Sequence, residues 1–187
     1  MLAIDWSGDA GLDRAGGASA FLTLAIVACD EPVVTAVLTQ LRETLRLPRD
    51  YEFHFAHELD RTRAAFAAAI PRAILAATVV VVDKPAVRQQ RPGLLGNELL
   101  ATVIATALPA LPRATVERAT VIIDGGKDAK KLCARVRQEL SLVMADQGLP
   151  YRVGKVRPHH SPRHDGLMVA DMLGGAAYHH ARRRHPD

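Results

Sequence analysis

Aromatic residues are scarce, at 4% of 187 positions, and there are only two cysteines. So few rings argue against the broad base-stacking platforms of single-strand-binding proteins. Cys29 and Cys133 lie far apart and form no C-x-x-C pair. That argues against a thiolate zinc site and a structural disulfide, and it fits a reducing, cytoplasmic compartment. No apolar run is long enough to span a bilayer, and Met1 to Asp5 already carries a charge, so neither a membrane span nor a secretion signal is expected. Gly8, Gly11, Gly16 and Gly17 match neither the P-loop nor the dinucleotide fingerprint, and no G-x-S-x-G elbow occurs. Repeats, low-complexity linkers and internal breaks are also missing. One domain over residues 1–181 with a basic tail over 182–187 is therefore expected.

Hydrophobic residues make up 49% of the chain, enough at this length for a real core. The net charge is +4, with an isoelectric point near 9.4. Such a surface suits a polyanionic partner through phosphate contacts, and it equally suits a protein from an arginine-rich genome with no such partner.

Leu2–Trp6 and Ala20–Ala28 read as strands that pair with each other. Pro32 opens a helix in which Val33, Val37, Leu41 and Leu45 recur at helical spacing, and Pro48 ends it. Tyr51–Phe55 alternates, with Tyr51, Phe53 and Phe55 on one side and Glu52 and His54 on the other, the pattern of a half-buried strand. Helices are expected over Asp60–Ala77, Asn97–Leu108 and Ala129–Gln147. Thr78–Val82 and Thr120–Ile123 read as strands buried on both faces, and Tyr151–Val156 as a last strand. Ser161 and Pro162 signal the start of a final helix running to about His180. The alternation of strands and helices predicts an α/β domain whose mixed or parallel sheet is covered on both faces.

Three apolar strands run into aspartate: Asp5, Asp83 and Asp124. In such sheets ligands bind beyond the carboxyl ends of the strands, where residues distant in sequence meet. Clustered carboxylates repel unless a cation or a shared proton neutralises them, and hard oxygen donors suit Mg²⁺ or Mn²⁺. Aspartate also begins turns, which accounts for Asp83 before Lys84-Pro85 without any function. Asp171 is different. Its helical neighbours Leu167, Met168, Gly174 and Gly175 are all uncharged, so it needs a partner: an ion, a buried backbone group or an arginine. Gly174 and Gly175 each cost about 1 kcal/mol against Ala in a helix, which implies close packing against the sheet. Asp165, six residues before Asp171, lies about 120° around the helix, where a first-turn acid is favourable anyway. Glu52 and His54 could complete an acidic cluster. Lys84, Lys127 or a histidine of the group His159, His160 and His164 could meet a phosphate. The stripe Lys127, Lys130, Lys131, Arg135 and Arg137 is either a phosphate-binding face or a solvated helix surface.

Taken in order, several segments resemble domain-of-unknown-function family 3800, which is grouped with the ribonuclease-H-like and integrase-like folds. They are Ile4-Asp5-Trp6-Ser7-Gly8, Glu52-Phe53-His54-Phe55, Val81-Val82-Asp83-Lys84, Val121-Ile122-Ile123-Asp124, and Ser161 followed by Gly166-Leu167-Met168-Val169-Ala170-Asp171-Met172-Leu173-Gly174-Gly175-Ala176. The resemblance spans nearly the whole chain. It implies a ribonuclease-H-like mixed sheet of five to six strands with helices on both faces. It implies Asp5, Asp124 and Asp171, with Glu52 as a fourth, as catalytic and metal-ligating residues. It further implies one or two Mg²⁺ or Mn²⁺ ions and phosphodiester cleavage, a metal-dependent nuclease acting on nucleic acid. The chain departs from the family pattern where Trp6 replaces the usual Glu, His54 the usual Lys and Met168 a common Gln. The loss of an acid beside Asp5 keeps a second expectation open: a non-catalytic nucleic-acid-binding or assembly protein that retains the fold.

Overall fold

The computed structural model describes residues 1–11, 19–94, 96–124, 128–159 and 164–184. The loop containing Gly16 and Gly17, the Gly125-Gly126 turn with Lys127, His160, the Ser161-Pro162 helix start and the tail past Arg184 lie outside the described residues.

Strand β1 (Leu2–Ser7) pairs antiparallel with β2 (Phe21–Cys29), bringing Asp5 opposite Ala25. Helix α1 (Glu31–Leu45) and helix α2 (Asp60–Ala69) follow, then β3 (Ile74–Asp83), antiparallel to β2. Next come α3 (Lys84–Gln90), α4 (Asn97–Ala107) and the single turn α5 (Arg113–Val116). Strand β4 (Val121–Asp124) lies parallel to β1, α6 (Ala129–Asp146) crosses over, and β5 (Val156–His159) lies parallel to β4. Helix α7 (Asp165–Arg184) closes the domain. The sheet order is β3-β2-β1-β4-β5, with β2 alone running against the other four.

Strand alternation divides β1 between two cores. Leu2 and Ile4 join Leu22, Leu24 and Ile26 under α4 and α6, while Ala3 joins Ala25 and Val27 under α1, α2 and α7. The small side chains on the second face let α7 approach the sheet. A Cβ on Gly166 would stand 2.9 Å from Met1 Cε and 3.2 Å from Ala3 Cβ. Further along, Thr23 Oγ1 donates to the Gly174 carbonyl at 2.8 Å.

Several elements differ from expectation. The buried face of α1 is Val34, Leu38, Leu41 and Arg42, and Val33 is 41% exposed. Helix α2 stops at Ala69, because Pro71 converts the chain to a 3₁₀ turn over Ile70–Arg72, and β3 starts at Ile74. Strand β3 is an edge strand, not one buried on both faces; Leu75, Val79 and Val81 are 68%, 39% and 49% exposed. A β-branched run marks a strand but says nothing of how many neighbours it will have. The last strand is Val156–His159, not Tyr151–Val156. Before it the chain crosses residues 118–119, with Arg118 N–H donating to the Arg152 carbonyl and Gly154 N–H to the Ala119 carbonyl. Helix α7 runs on to Arg184, so the first residues of the expected tail are helical.

Candidate functional site

The order of the strands brings Asp5 and Asp124 to one edge. Asp124 is the last residue of β4, next to β1, and Asp5 faces the layer that contains α7. Asp171 comes from the middle of α7, which packs across β1 and β2. All three carboxylates line one cleft of about 660 Å³. A smaller adjoining recess of about 100 Å³ shares them and adds Glu52 and His164. Glu52 is exposed and lies on the recess alone.

Residues 51–54 form no strand, and Phe55–His57 is a 3₁₀ turn. The predicted alternation is real, since Phe53 is buried and Glu52 and His54 are exposed, but side chains rather than a ladder serve this backbone. Arg42 Nε donates to the Tyr51 carbonyl at 2.9 Å, and Arg63 Nη2 to the Phe55 carbonyl at 2.8 Å. Phe55 N–H donates to Asp171 Oδ2 at 2.7 Å, and His54 Nδ1 stands 3.7 Å from the same oxygen. Gly175 makes this possible: a Cβ there would lie 2.4 Å from Phe55 Cβ and Cγ. Of the glycine pair, then, Gly175 clears space for Phe55 and not for the sheet. Gly174 faces the sheet at an ordinary 3.7 Å from Ala25 Cβ.

Burial, opposed by the Trp6 N–H at 2.8 Å and reinforced by the charges of Asp171 and Asp124, pushes the Asp5 carboxyl up to about 7. Burial likewise raises Asp171, against the Phe55 N–H and His54, with Asp124 again adding to the rise. Two of the three carboxylates on the cleft are thus raised by burial and by their acidic neighbours. Among the described residues no three His, Cys, Asp or Glu side chains are already closed around an ion position. The donor chemistry nevertheless fits Mg²⁺ or Mn²⁺. Mg²⁺ keeps several waters and binds through one or two carboxylates together with substrate phosphate, so it requires no all-protein cage.

No known family profile matches the chain, and no curated protein does. Among solved structures, a chain of the PCNA:RNase HII complex from Archaeoglobus fulgidus superposes with a TM-score of 0.64 at 14% identity, over 100% of this chain and 78% of that one. The fold is ribonuclease-H-like. At that identity the likeness speaks for architecture, and the site has to be argued from its own side chains.

Within this ribonuclease-H-like frame the remaining candidates are accounted for. Asp83 caps α3, accepting from Ala86 N–H at 3.1 Å. Asp165 accepts from Thr35 Oγ1 at 2.6 Å and from Arg42 at 3.3 Å, tying α7 to α1. Lys84 is no phosphate contact. It is 1% exposed, and its ammonium donates to Asp9 O and Oδ1, Gly11 O and Ser19 Oγ, fastening the loop after β1. Two members of the basic stripe on α6 are ion-paired: Lys131 with Asp128 at 3.0 Å, and Arg135 with Glu98 at 2.8 Å and Glu139 at 3.3 Å. His159 and His164 meet edge to face at 4.6 Å, and burial together with His159 lowers the buried His164.

The cleft has a second wall that the sequence reading passed over: Trp6, Arg63, Tyr178, His179 and Arg182. A signal for part of it was available. Asp171, Gly175, Tyr178 and Arg182 recur at the spacing of one helical stripe, so a carboxylate assigned to a site on this helix carries those positions with it.

Proposed function

We propose that the chain is a metal-dependent nuclease of the family-3800 type, acting in the cytoplasm on nucleic acid, with Asp5, Asp124 and Asp171 holding Mg²⁺ or Mn²⁺ and Glu52 completing the set. The observation that carries the proposal is the convergence of Asp5, Asp124 and Asp171 on one cleft, with burial and the neighbouring carboxylates raising Asp5. The likeness of fold to a chain of an RNase HII complex supports it, and free, buried Cys29 and Cys133 support a reducing compartment. A bound divalent ion would supply charge neutralisation at the phosphate and activation of the attacking water. The protein's own part is positioning. The Phe55 N–H orients Asp171, the Trp6 N–H orients Asp5, and Arg63 and Arg182 offer positive charge to an anionic strand on the same cleft.

Titration with Mn²⁺ followed by thermal melting tests this. Ion at a hundredfold excess over its dissociation constant stabilises by about 2.7 kcal/mol, a rise of roughly 5–10 °C for a domain of this size. Asp5→Asn should abolish both that shift and the Mn²⁺-dependent cleavage of labelled oligonucleotides. Absence of any shift in the wild-type chain defeats the metal reading. A shift with nucleic-acid binding but no cleavage selects the non-catalytic alternative, which Trp6 in place of the family's Glu favours.

A further inference from the structure

We infer that the second wall of the cleft is a stacking site for unpaired nucleotides, so that the ligand class is single-stranded nucleic acid and not a regular duplex. The inference takes its location from the nuclease reading, but its test does not depend on cleavage.

The chain has eight Phe, Trp and Tyr residues. Three of them, Trp6, Phe55 and Tyr178, line this one cleft together with His179. Phe53 and Phe66, by contrast, are 2% exposed and pack edge to face in the core at 5.2 Å. The cleft rings are partly exposed, and arginines attend two of them. The Arg63 guanidinium lies 4.3 Å from the Phe55 ring centre, held by the Phe55 carbonyl, and that of Arg182 lies 6.0 Å from the Tyr178 ring centre. Rings and guanidinium planes beside one another are what hold a single strand: every base offers a π face, and every phosphate needs a positive neighbour. In a duplex the base faces are stacked on each other and are not free to use such a wall.

The backbone is shaped around the same wall. Gly8 has φ +89°, and a Cβ on it would stand 2.7 Å from the Phe21 carbonyl oxygen and 3.0 Å from Tyr178 Cε2. Only glycine lets the chain leave β1 with the tyrosine ring lying against it at the cleft. Gly175 does the same for Phe55. At about 660 Å³ the open cleft has room for an extruded base.

Trp6 is the only tryptophan, and it lies on the cleft, so intrinsic fluorescence reports directly. The full chain in EDTA is titrated with ten-nucleotide oligo(dT), with oligo(U), and with a blunt duplex of equal length at one salt concentration. Anisotropy of labelled strands serves as the second readout. The expected result is Trp6 quenching by the single strands, with affinity at least tenfold above that for the duplex. The dT and U arms show whether the deoxy or the ribo backbone is preferred. Tyr178→Leu and Arg182→Ala should each weaken single-strand binding about fivefold or more, the lower end of what one stacked base contributes, with the circular dichroism spectrum unchanged. Equal affinity for duplex and single strand, or folded variants that bind as the wild type does, overturns the inference. Stacking without any Mn²⁺-dependent cleavage would end the nuclease reading and leave this one standing. Cleavage of duplex with no Trp6 response would do the reverse.

Discussion

Lys84, the first residue of α3, and Asp5, on β1, are both ionisable groups taken out of water, and they are treated in opposite ways. The Lys84 ammonium meets four oxygen atoms. Burial acts to raise its partner Asp9, but hydrogen bonds from the Ser19 N–H and hydroxyl and from Lys84, with the Lys84 charge, together outweigh it and hold that carboxyl at about 2. Asp5 accepts from the Trp6 N–H, but burial and the charges of two further carboxylates act against its ionised form. The first arrangement is complete and anchors a loop. The second groups carboxylates on an open cleft, the kind of perturbed cluster on which the proposed metal site rests.

Breaking the complete half has the largest expected effect. Lys84→Met keeps the aliphatic stem but removes every hydrogen bond of the ammonium, and should cost about 2–4 kcal/mol in urea unfolding at neutral pH. Next comes the support of the acidic cluster. Gly175→Ala drives a methyl into Phe55 and should cost about 1–3 kcal/mol by thermal melting, loosening the N–H that Asp171 accepts. Gly174→Ala, one residue away, meets only ordinary contacts and should be neutral or stabilising by up to about 1 kcal/mol. The last test sharpens the comparison through pH, where the effect rivals the loss of the Lys84 ammonium. Asp5 ionises at about 7 in the folded chain against 3.8 ordinarily. Between those values the folded state holds a proton that the unfolded state has released, so this group makes metal-free protein less stable as pH rises from about 4 to 7, with no further change above. Asp5→Asn should flatten that slope. In EDTA it should nearly match the wild type near pH 4 and exceed it by about 4 kcal/mol at pH 8. Urea unfolding across that pH range would show it, and a wild-type curve that rises with pH in step with the variant would contradict the assigned shift.

Much of the architecture was legible because its signals are local. Strands β1 and β4, helices α4 and α6, and the capping role of Asp83 follow from runs, periodicity and turn chemistry within a few residues. The rule that strand ends share an edge pointed to residues 5 and 124, whereas residue 171, which lines the same cleft, was singled out by its apolar helical surroundings and joined them through the family resemblance. What escaped depends on distant partners. Residues 51–55 alternate like a strand, yet their backbone bonds go to Arg42, Arg63 and Asp171, which no local pattern announces. The exposure of β3 follows from its place at the edge, and the burial of Lys84 from a loop more than sixty residues earlier in the chain. The low aromatic content was read as an average, whereas the fold concentrates three of the rings at one place.

Asp5 belongs to the first strand and Asp171 to the helix that closes the domain. On a nascent polypeptide the set is therefore incomplete until α7 has been made. On the proposed reading, its chemistry waits until that helix has emerged and settled over Ala3 and Ala25. A protease that clips this helix would take Asp171 from the cleft and, in the same stroke, strip the cover from the small-residue core.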